Sequence, residues 1–400
     1  MIHCSKRVAA IPSSATLAIK ARARELSEAG HDIIDLSAGE PDGSPPPEAG
    51  AAGIEAIEGG SHRYTPVPGM PQLRSAIAAM YRERHGLDIG PERVMVTMGG
   101  KQALYNLALA LFNPGDEVIL FAPHWVSYMP QLQLAEAKGV VIPTRPEDGF
   151  QPDLDAARAA ITDRTRAIII NSPGNPTGTI IERERLEALA QLAEERDLVV
   201  ISDEIYDGIT YDGASSCCFP TLREGLSERT IIINAVSKTY AMTGWRVGWM
   251  VAPPEVVGAC CKIQSHSTSG VCAVNQRAAI AAIKAPRSFL DPILSALTRR
   301  RALLTEGLEQ TPGIEVGPPP LGAFYLFPRV DGLFGRTTPD GTLLTSSLEV
   351  ADFFINQAGV AVVPGEGFGE PRCVRISYAT SYERLSKGLG RLQDAIAELN

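Results

Sequence analysis

Along the middle of the chain, short unbroken apolar runs alternate with longer stretches whose apolar residues recur every three or four positions. The runs RVMVTM (93–98), DEVILFA (116–122), RAIIINS (166–172), LVVISDE (198–204), TIIINAV (230–236) and RVGWMVA (246–252) predict strands. In KQALYNLALALF, Ala103, Leu104, Leu107, Ala108 and Leu111 follow helical spacing, and ERERLEALAQLAEERD (182–197) reads as an amphipathic helix. Apolar strands that alternate with helices predict a mostly parallel sheet with helices on both faces, an α/β fold.

After about residue 290 the pattern changes. A helix near 288–310, the run GAFYLFPRV, a helix near 346–358, then VAVVPG and CVRISYA predict a smaller α+β domain. The Gly- and Pro-rich stretch GEPDGSPPPEAGAAG (39–53) reads as a link between an N-terminal segment and the large domain. The resulting division is 1–45 for an N-terminal arm and part of the small domain, 46–288 for the large domain and 289–400 for the small one. No internal repeat or low-complexity tract stands out.

Composition narrows the function classes. The chain is 44% apolar and 6% aromatic, as a globular protein with a sizeable core is. A net charge of −9 argues against nucleic acid as a partner. No apolar stretch approaches the roughly 20 residues needed to cross a bilayer, and MIHCSKRVAAIPSS lacks the apolar segment of a signal peptide. The seven cysteines include the adjacent pairs Cys217-Cys218 and Cys260-Cys261, unlike metal-binding spacing; free thiols in a reducing cytoplasm are expected.

In open parallel sheets, ligands bind beyond the carboxyl ends of the strands. There, RAIII runs into Asn171-Ser-Pro-Gly-Asn-Pro-Thr-Gly178, LVVIS into Asp203-Glu204-Ile205-Tyr206, and TIIINAV into Ser237-Lys238. RVMVTM runs into Gly99-Gly100-Lys101 at a predicted helix start, where backbone N–H groups suit a phosphate. Rival chemistries lack their parts: there is no P-loop, no GxGxxG opening the first β-α unit, no HExxH metal motif and no GxSxG elbow. A lysine and a carboxylate around a phosphate ester suit pyridoxal phosphate, in which the lysine forms a Schiff base and the acid partners the pyridinium nitrogen.

YTPVPGMPQLR, VTMGGKQAL, NSPGNPTG, SDEIY, SKTYAMTGWRVGW and VRISYATS stand here in the order they have in class I/II pyridoxal-phosphate-dependent aminotransferases of fold type I. The sequence most resembles the prokaryotic aspartate aminotransferases, from about residue 36 to 381. The resemblance implies that Lys238 binds the cofactor and carries the proton between Cα and C4′. It implies that Asp203 holds the pyridine nitrogen protonated, and that Tyr206 and Asn175 hydrogen-bond the phenolic oxygen. Arg246, Gly100 and Lys101 would hold the phosphate, Trp125 would stack on the ring, and Tyr64 would reach the phosphate of a neighbouring subunit in a homodimer.

Arg375 also has support from its surroundings. Period-two alternation in CVRISYA puts Val374 and Ile376 on one face and Arg375 and Ser377 on the other, so a strand aims the arginine, well placed for bidentate contact with a carboxylate. Gly39 resembles the backbone that closes over the same carboxylate, and Trp125 and Asn175 would also border the substrate. Some family members carry a phosphate-binding serine three residues before the lysine; Ala235 stands there, and Ser237 is the remaining hydroxyl nearby.

The implied activity is ping-pong transamination between an L-amino acid and a 2-oxo acid. Lys101 occupies a position where similar enzymes contact the distal carboxylate of aspartate or glutamate. The stretch DGSPP after GEP departs from the DFDTP common in that branch. Aromatic or neutral amino acids, a β-lyase reaction, and a non-catalytic ligand-binding module are the alternatives.

Overall fold

A computed structural model describes residues 4–11 and 15–400. After the short strand β1 (Ile34–Asp35) come the strands of the large sheet: β2 (Val94–Thr97), β3 (Glu117–Ala122), β4 (Lys138–Pro143), β5 (Thr165–Asn171), β6 (Val199–Asp203), β7 (Thr230–Ala235) and β8 (Gly248–Val251). They form one seven-stranded sheet in the order β2-β8-β7-β6-β5-β3-β4. Every pairing is parallel except those of β8, which runs antiparallel to β2 and β7. The exception has a local cause. Residues 236–247, between β7 and β8, form only the 3₁₀ turn Thr243–Trp245, so no helix carries the chain back for a parallel crossover.

Apolar residues on both faces explain the unbroken runs. Met95, Ile169, Ile201, Ile233 and Met250 pack with Leu104 and Leu107 of the helix Gly100–Leu111 and Val257 of Pro254–Ser265. On the other face Val96, Ile232 and Trp249 meet Leu73, Ile77 and Ala278, while Ile168, Ile170 and Val200 meet Leu186 and Leu189 of the helix Arg183–Glu195. Ile231, Ile232 and Ile233 are each at most 1% exposed. Burial of such a side chain stabilises by about 1.5–3 kcal/mol, so the strand that delivers Lys238 is among the most firmly held. β4 was not predicted from the sequence; it is an edge strand with one neighbour and mostly exposed or half-buried positions, so its apolar signal is weak.

The smaller α+β domain contains β9 (Tyr325–Leu326), β10 (Val360–Ala361), β11 (Val363–Pro364) and β12 (Val374–Ser377). β12 lies between β11 and β9, antiparallel to both, while β1 pairs in parallel with β10, Ile34 opposite Val360. The helices Asp291–Glu309, Ser347–Phe353 and Tyr382–Ala397 surround a core that includes Leu304, Phe324, Phe354, Ile376 and Leu385. The stretch read as a link is irregular only up to Pro46. From Pro47 to Glu58 it is helical, with proline in the first turn, where a missing N–H costs nothing.

Candidate active site

The parallel strands bring their carboxyl ends to one edge of the sheet, and the predicted residues gather there. Lys238, three residues past β7, donates from Nζ to the Gly39 carbonyl. Its Nζ lies 6.0 Å from the ring centroids of both Tyr206 and Phe324. Burial lowers its pKa to about 8; Arg375 and Arg246 push the same way, while Glu40 and Asp203 resist. A lysine so placed can become neutral near physiological pH, as a nucleophile or base must.

Asp203 ends β6, buried between its neighbours in the sheet, Asn171 on β5 and Ile233 on β7. Burial raises its pKa to about 6, against hydrogen bonds from Tyr128 and the Ile205 N–H and the charge of Lys238. Asn171 Nδ2 donates to the Asp203 carbonyl at 2.8 Å, and Asn171 Oδ1 accepts the Asn175 N–H at 2.8 Å. The turn after β5 is thus tied to the end of β6. Tyr206 Oη shares a 2.9 Å hydrogen bond with Tyr325 Oη.

Glycine shapes the turn between β2 and the helix Gly100–Leu111. Gly99 turns the chain at φ +80° into the helix Gly100–Leu111. A Cβ there would lie 2.7 Å from Arg246 Nη2, and a Cβ on Gly248 would lie 2.5 Å from both Gly100 N and the Gly99 carbonyl carbon. Only glycine leaves the first-turn N–H groups and the guanidinium this close together. Arg246 itself has φ +54°, and its Nη1 and Nη2 donate to the carbonyls of Thr243 at 2.7 Å and Met98 at 3.3 Å.

On the opposite side, β12 delivers Arg375, 2% exposed. Its Nη1 donates to Asn175 Oδ1 at 3.0 Å and its Nη2 to the Ser37 carbonyl at 2.8 Å. Its guanidinium carbon sits 4.6 Å from the Tyr325 ring centroid. No carboxylate pairs with it among the described residues, and its buried Nε has no hydrogen-bond partner there. A cleft-lining guanidinium with no carboxylate partner is a candidate receptor for an anion. Asn175 spends its oxygen on Arg375, which leaves the amide nitrogen to donate elsewhere.

Lys101 reaches over Trp125, its Nζ 5.0 Å from the ring centroid. Burial against its surroundings and the charge of Arg246 lower its pKa. Gly39, Gly100, Lys101, Trp125, Asn175, Asp203, Tyr206, Lys238 and Arg375 line one cleft. Three predicted residues stand apart from its lining. Tyr64 is 98% exposed, Arg246 lies behind the Gly99 turn, and Ser237 is buried. Ala235 is also buried and has no side-chain donor to offer a phosphate.

Other residues of the site escaped the sequence reading. Tyr128 stands three residues after Trp125 and opens the next helix; its ring meets Trp125 edge-on, with centroids 5.4 Å apart. Tyr325 and Asn171 lay within motifs already singled out, but their partners are distant in sequence. Thr16 lines the cleft with a buried Oγ1 that has no partner among the described residues, and nothing in its local sequence announces that.

These residues fit pyridoxal phosphate. The glycine cradle would receive the phosphate, Asp203 the ring nitrogen, and the lysine with a depressed pKa the aldehyde. Comparison with known proteins agrees. The model of the family "Aminotransferase class I and II" matches residues 31–392. An aspartate aminotransferase of Streptomyces avermitilis is 40% identical over 395 residues, covering 98% of this chain and 96% of its own. The aspartate aminotransferase structure from Rhizobium meliloti superposes with a TM-score of 0.96 at 35% identity, over 100% of both chains. That of Thermus thermophilus with maleate gives 0.92 at 40% identity, over 99% of this chain and 100% of the other. Motif order, cleft geometry and full-length similarity place the chain among the class I and II aminotransferases, pyridoxal-phosphate-dependent enzymes of fold type I.

Proposed function

We propose that this enzyme transfers the amino group between an acidic L-amino acid, aspartate or glutamate, and a 2-oxo acid, in a ping-pong cycle. The observation that carries the reading is two cations lining one cleft, Arg375 from the small domain and Lys101 from a helix start of the large one. A substrate with two carboxylates has an end for each. The Thermus relative was solved with maleate, itself a dicarboxylate.

Bound pyridoxal phosphate supplies the electron sink for charge left at Cα. The chain supplies the rest. Arg375 takes the α-carboxylate, and Gly39 closes beside it. Lys238 Nζ, neutral above about pH 8, would take the Cα proton and carry it to C4′. Asp203 as a carboxylate holds a proton on the ring nitrogen, Trp125 covers a ring face, and Tyr206 and Asn175 donate to the phenolic oxygen. The first-turn N–H groups at Gly100 and Lys101, together with Arg246 and Ser237, hold the phosphate.

Tyr64, exposed and outside the lining of its own cleft, is assigned to the phosphate of a second copy, making the enzyme a homodimer with shared sites. The cysteines Cys4, Cys217, Cys218, Cys260, Cys261, Cys272 and Cys373 are all free thiols, which suits a cytoplasmic enzyme. Neither candidate metal-binding groups nor membrane-length apolar helices occur among the described residues.

Lys101→Ala tests the substrate. A charged hydrogen bond to the distal carboxylate is worth about 1.5–3 kcal/mol, so kcat/KM for aspartate should fall roughly ten- to hundredfold while alanine is little changed. Equal losses would assign Lys101 to the phosphate and reopen the neutral and aromatic substrates. Arg375→Lys is the control and should weaken every amino acid.

A further inference from the structure

Among the described residues, the Asp203 carboxylate has a single side-chain hydrogen-bond partner, and that partner does not line the cleft. Tyr128 Oη donates to Asp203 Oδ2 at 2.7 Å, while the Ile205 N–H reaches Oδ1 at 3.4 Å. Tyr128 is 3% exposed and opens the helix Tyr128–Leu134, packed among Leu104, Leu120 and Met250. A ligand in the cleft meets Trp125 and Asp203 but not Tyr128.

We propose that Tyr128 is a positioning residue acting through Asp203: its hydroxyl fixes the carboxylate and keeps it ionised, leaving Oδ1 to face the cofactor's ring nitrogen. This rests on the cofactor role assigned to Asp203. A carboxylate enclosed in a protein core is driven towards its neutral form unless donors stabilise the charge. A neutral Asp203 would no longer favour a proton on the ring.

The groups that face Asp203 are few. Lys238 favours the ionised carboxylate from across the cleft, and Tyr206 lies close enough for its own ionisation to be opposed by Asp203. Beside Tyr128 stands His124, with ring centroids 6.4 Å apart; burial lowers its pKa, which favours a neutral imidazole. Burial and the adjoining carboxylate push the Tyr128 phenol well above its ordinary range, so the hydroxyl remains a donor at every working pH. Tyr128 therefore lends a hydrogen bond and does not exchange its proton with Asp203.

The test measures Asp203 directly. In the apoprotein labelled with carboxyl-13C aspartate, with Asp203→Asn to assign the signal, Tyr128→Phe should raise the Asp203 pKa by about one to two units, the value of one hydrogen bond to a charged group. Replacing Tyr128 by 3-fluorotyrosine keeps the packing and strengthens the donor, so it should shift the pKa the other way. It also serves if the phenylalanine variant folds poorly. A merely structural ring would not produce opposite signs. In holoprotein carrying 15N-labelled pyridoxal phosphate, the ring nitrogen of Tyr128→Phe should lose its proton at lower pH than wild type.

An unchanged Asp203 pKa in both variants overturns the proposal, as does a ring nitrogen unmoved when Asp203 shifts. Wild type that binds no pyridoxal phosphate would instead overturn the cofactor reading, and with it Tyr128's role towards the ring. The apoprotein titration would still decide whether Tyr128 holds Asp203 ionised.

Discussion

Burial outweighs neighbouring charges at Lys238 and hydrogen bonds at Glu204. For Lys238 the outcome is an amine with a pKa of about 8, although Glu40 and Asp203 both favour the ammonium. Covalent capture of pyridoxal phosphate by the apoprotein, followed by absorbance, should therefore speed up with pH through a midpoint near 8. A midpoint near 10.4, that of an ordinary lysine, would refute the depressed amine. Mass spectrometry after borohydride reduction should find the adduct on Lys238. Glu204 is buried next to Asp203, its Oε1 accepting from Ser202 Oγ at 2.8 Å and the Phe219 N–H at 3.0 Å. Burial nevertheless raises its pKa to about 8, from 4.5. The folded chain thus keeps a proton that the unfolded chain releases, and stability from this group falls as pH rises between those values. The slope is at most ~1.4 kcal/mol per pH unit. Glu204→Gln mimics the neutral acid and should flatten that slope in urea midpoints measured from pH 5 to 8. Parallel slopes in the two proteins would count against a protonated Glu204.

At the scale of elements, the proposed phosphate cradle depends on how closely β8 approaches the Gly99 turn. Because β8 runs antiparallel between β2 and β7, Gly248 sits opposite both Thr97 and Ala235, at the ends of those strands. Gly248→Ala would place a methyl 2.5 Å from backbone atoms, which cannot rotate away as a side chain could. The strand must shift, at a cost of about 1–3 kcal/mol. Chemical denaturation should show that loss, and pyridoxal phosphate should dissociate faster, because Gly100 N moves with the clash. Unchanged stability and unchanged dissociation would mean that the turn is more plastic than its packing suggests. The strands flanking this turn were legible as apolar runs, but β8's direction was not. Apolar content reports burial on both faces and is blind to strand polarity. The helices Pro71–His85 and Tyr382–Ala397 also went unread, although a first-turn proline and a serine N-cap mark their starts.

For the whole molecule, the arrangement of Tyr64 carries the prediction. It is 98% exposed in a single chain, although it belongs to one of the motifs shared with the family. If it completes a second copy's cleft, Tyr64→Phe should weaken cofactor binding while leaving monomer stability within about 0.5 kcal/mol, as for other exposed sites. Mixing Lys238→Ala protein with a more damaging Tyr64→Ala protein should restore part of the activity, since one hybrid cleft would hold both intact residues. Full activity in a species that sediments as a monomer would remove the shared site.

Residue order alone was enough for the α/β class, the six-motif likeness and the candidates Lys238, Asp203 and Arg375. A parallel sheet gathers the residues just past each strand at one edge, so Lys238 and Asp203 could be placed together before any contact was known. Local sequence also fixes which face of β12 carries Arg375. Tertiary structure decided what each candidate can do. Arg375's unfilled Nε, the Tyr128 hydroxyl on Asp203 and the Oγ1 of Thr16 in the cleft all arise between segments far apart in the chain. So does the depressed pKa of Lys238, which reflects enclosure by Arg375, Arg246 and buried rings rather than its neighbours in sequence. Periodicity records which side of an element is apolar; desolvation and hydrogen-bond satisfaction depend on everything that the fold brings around an atom.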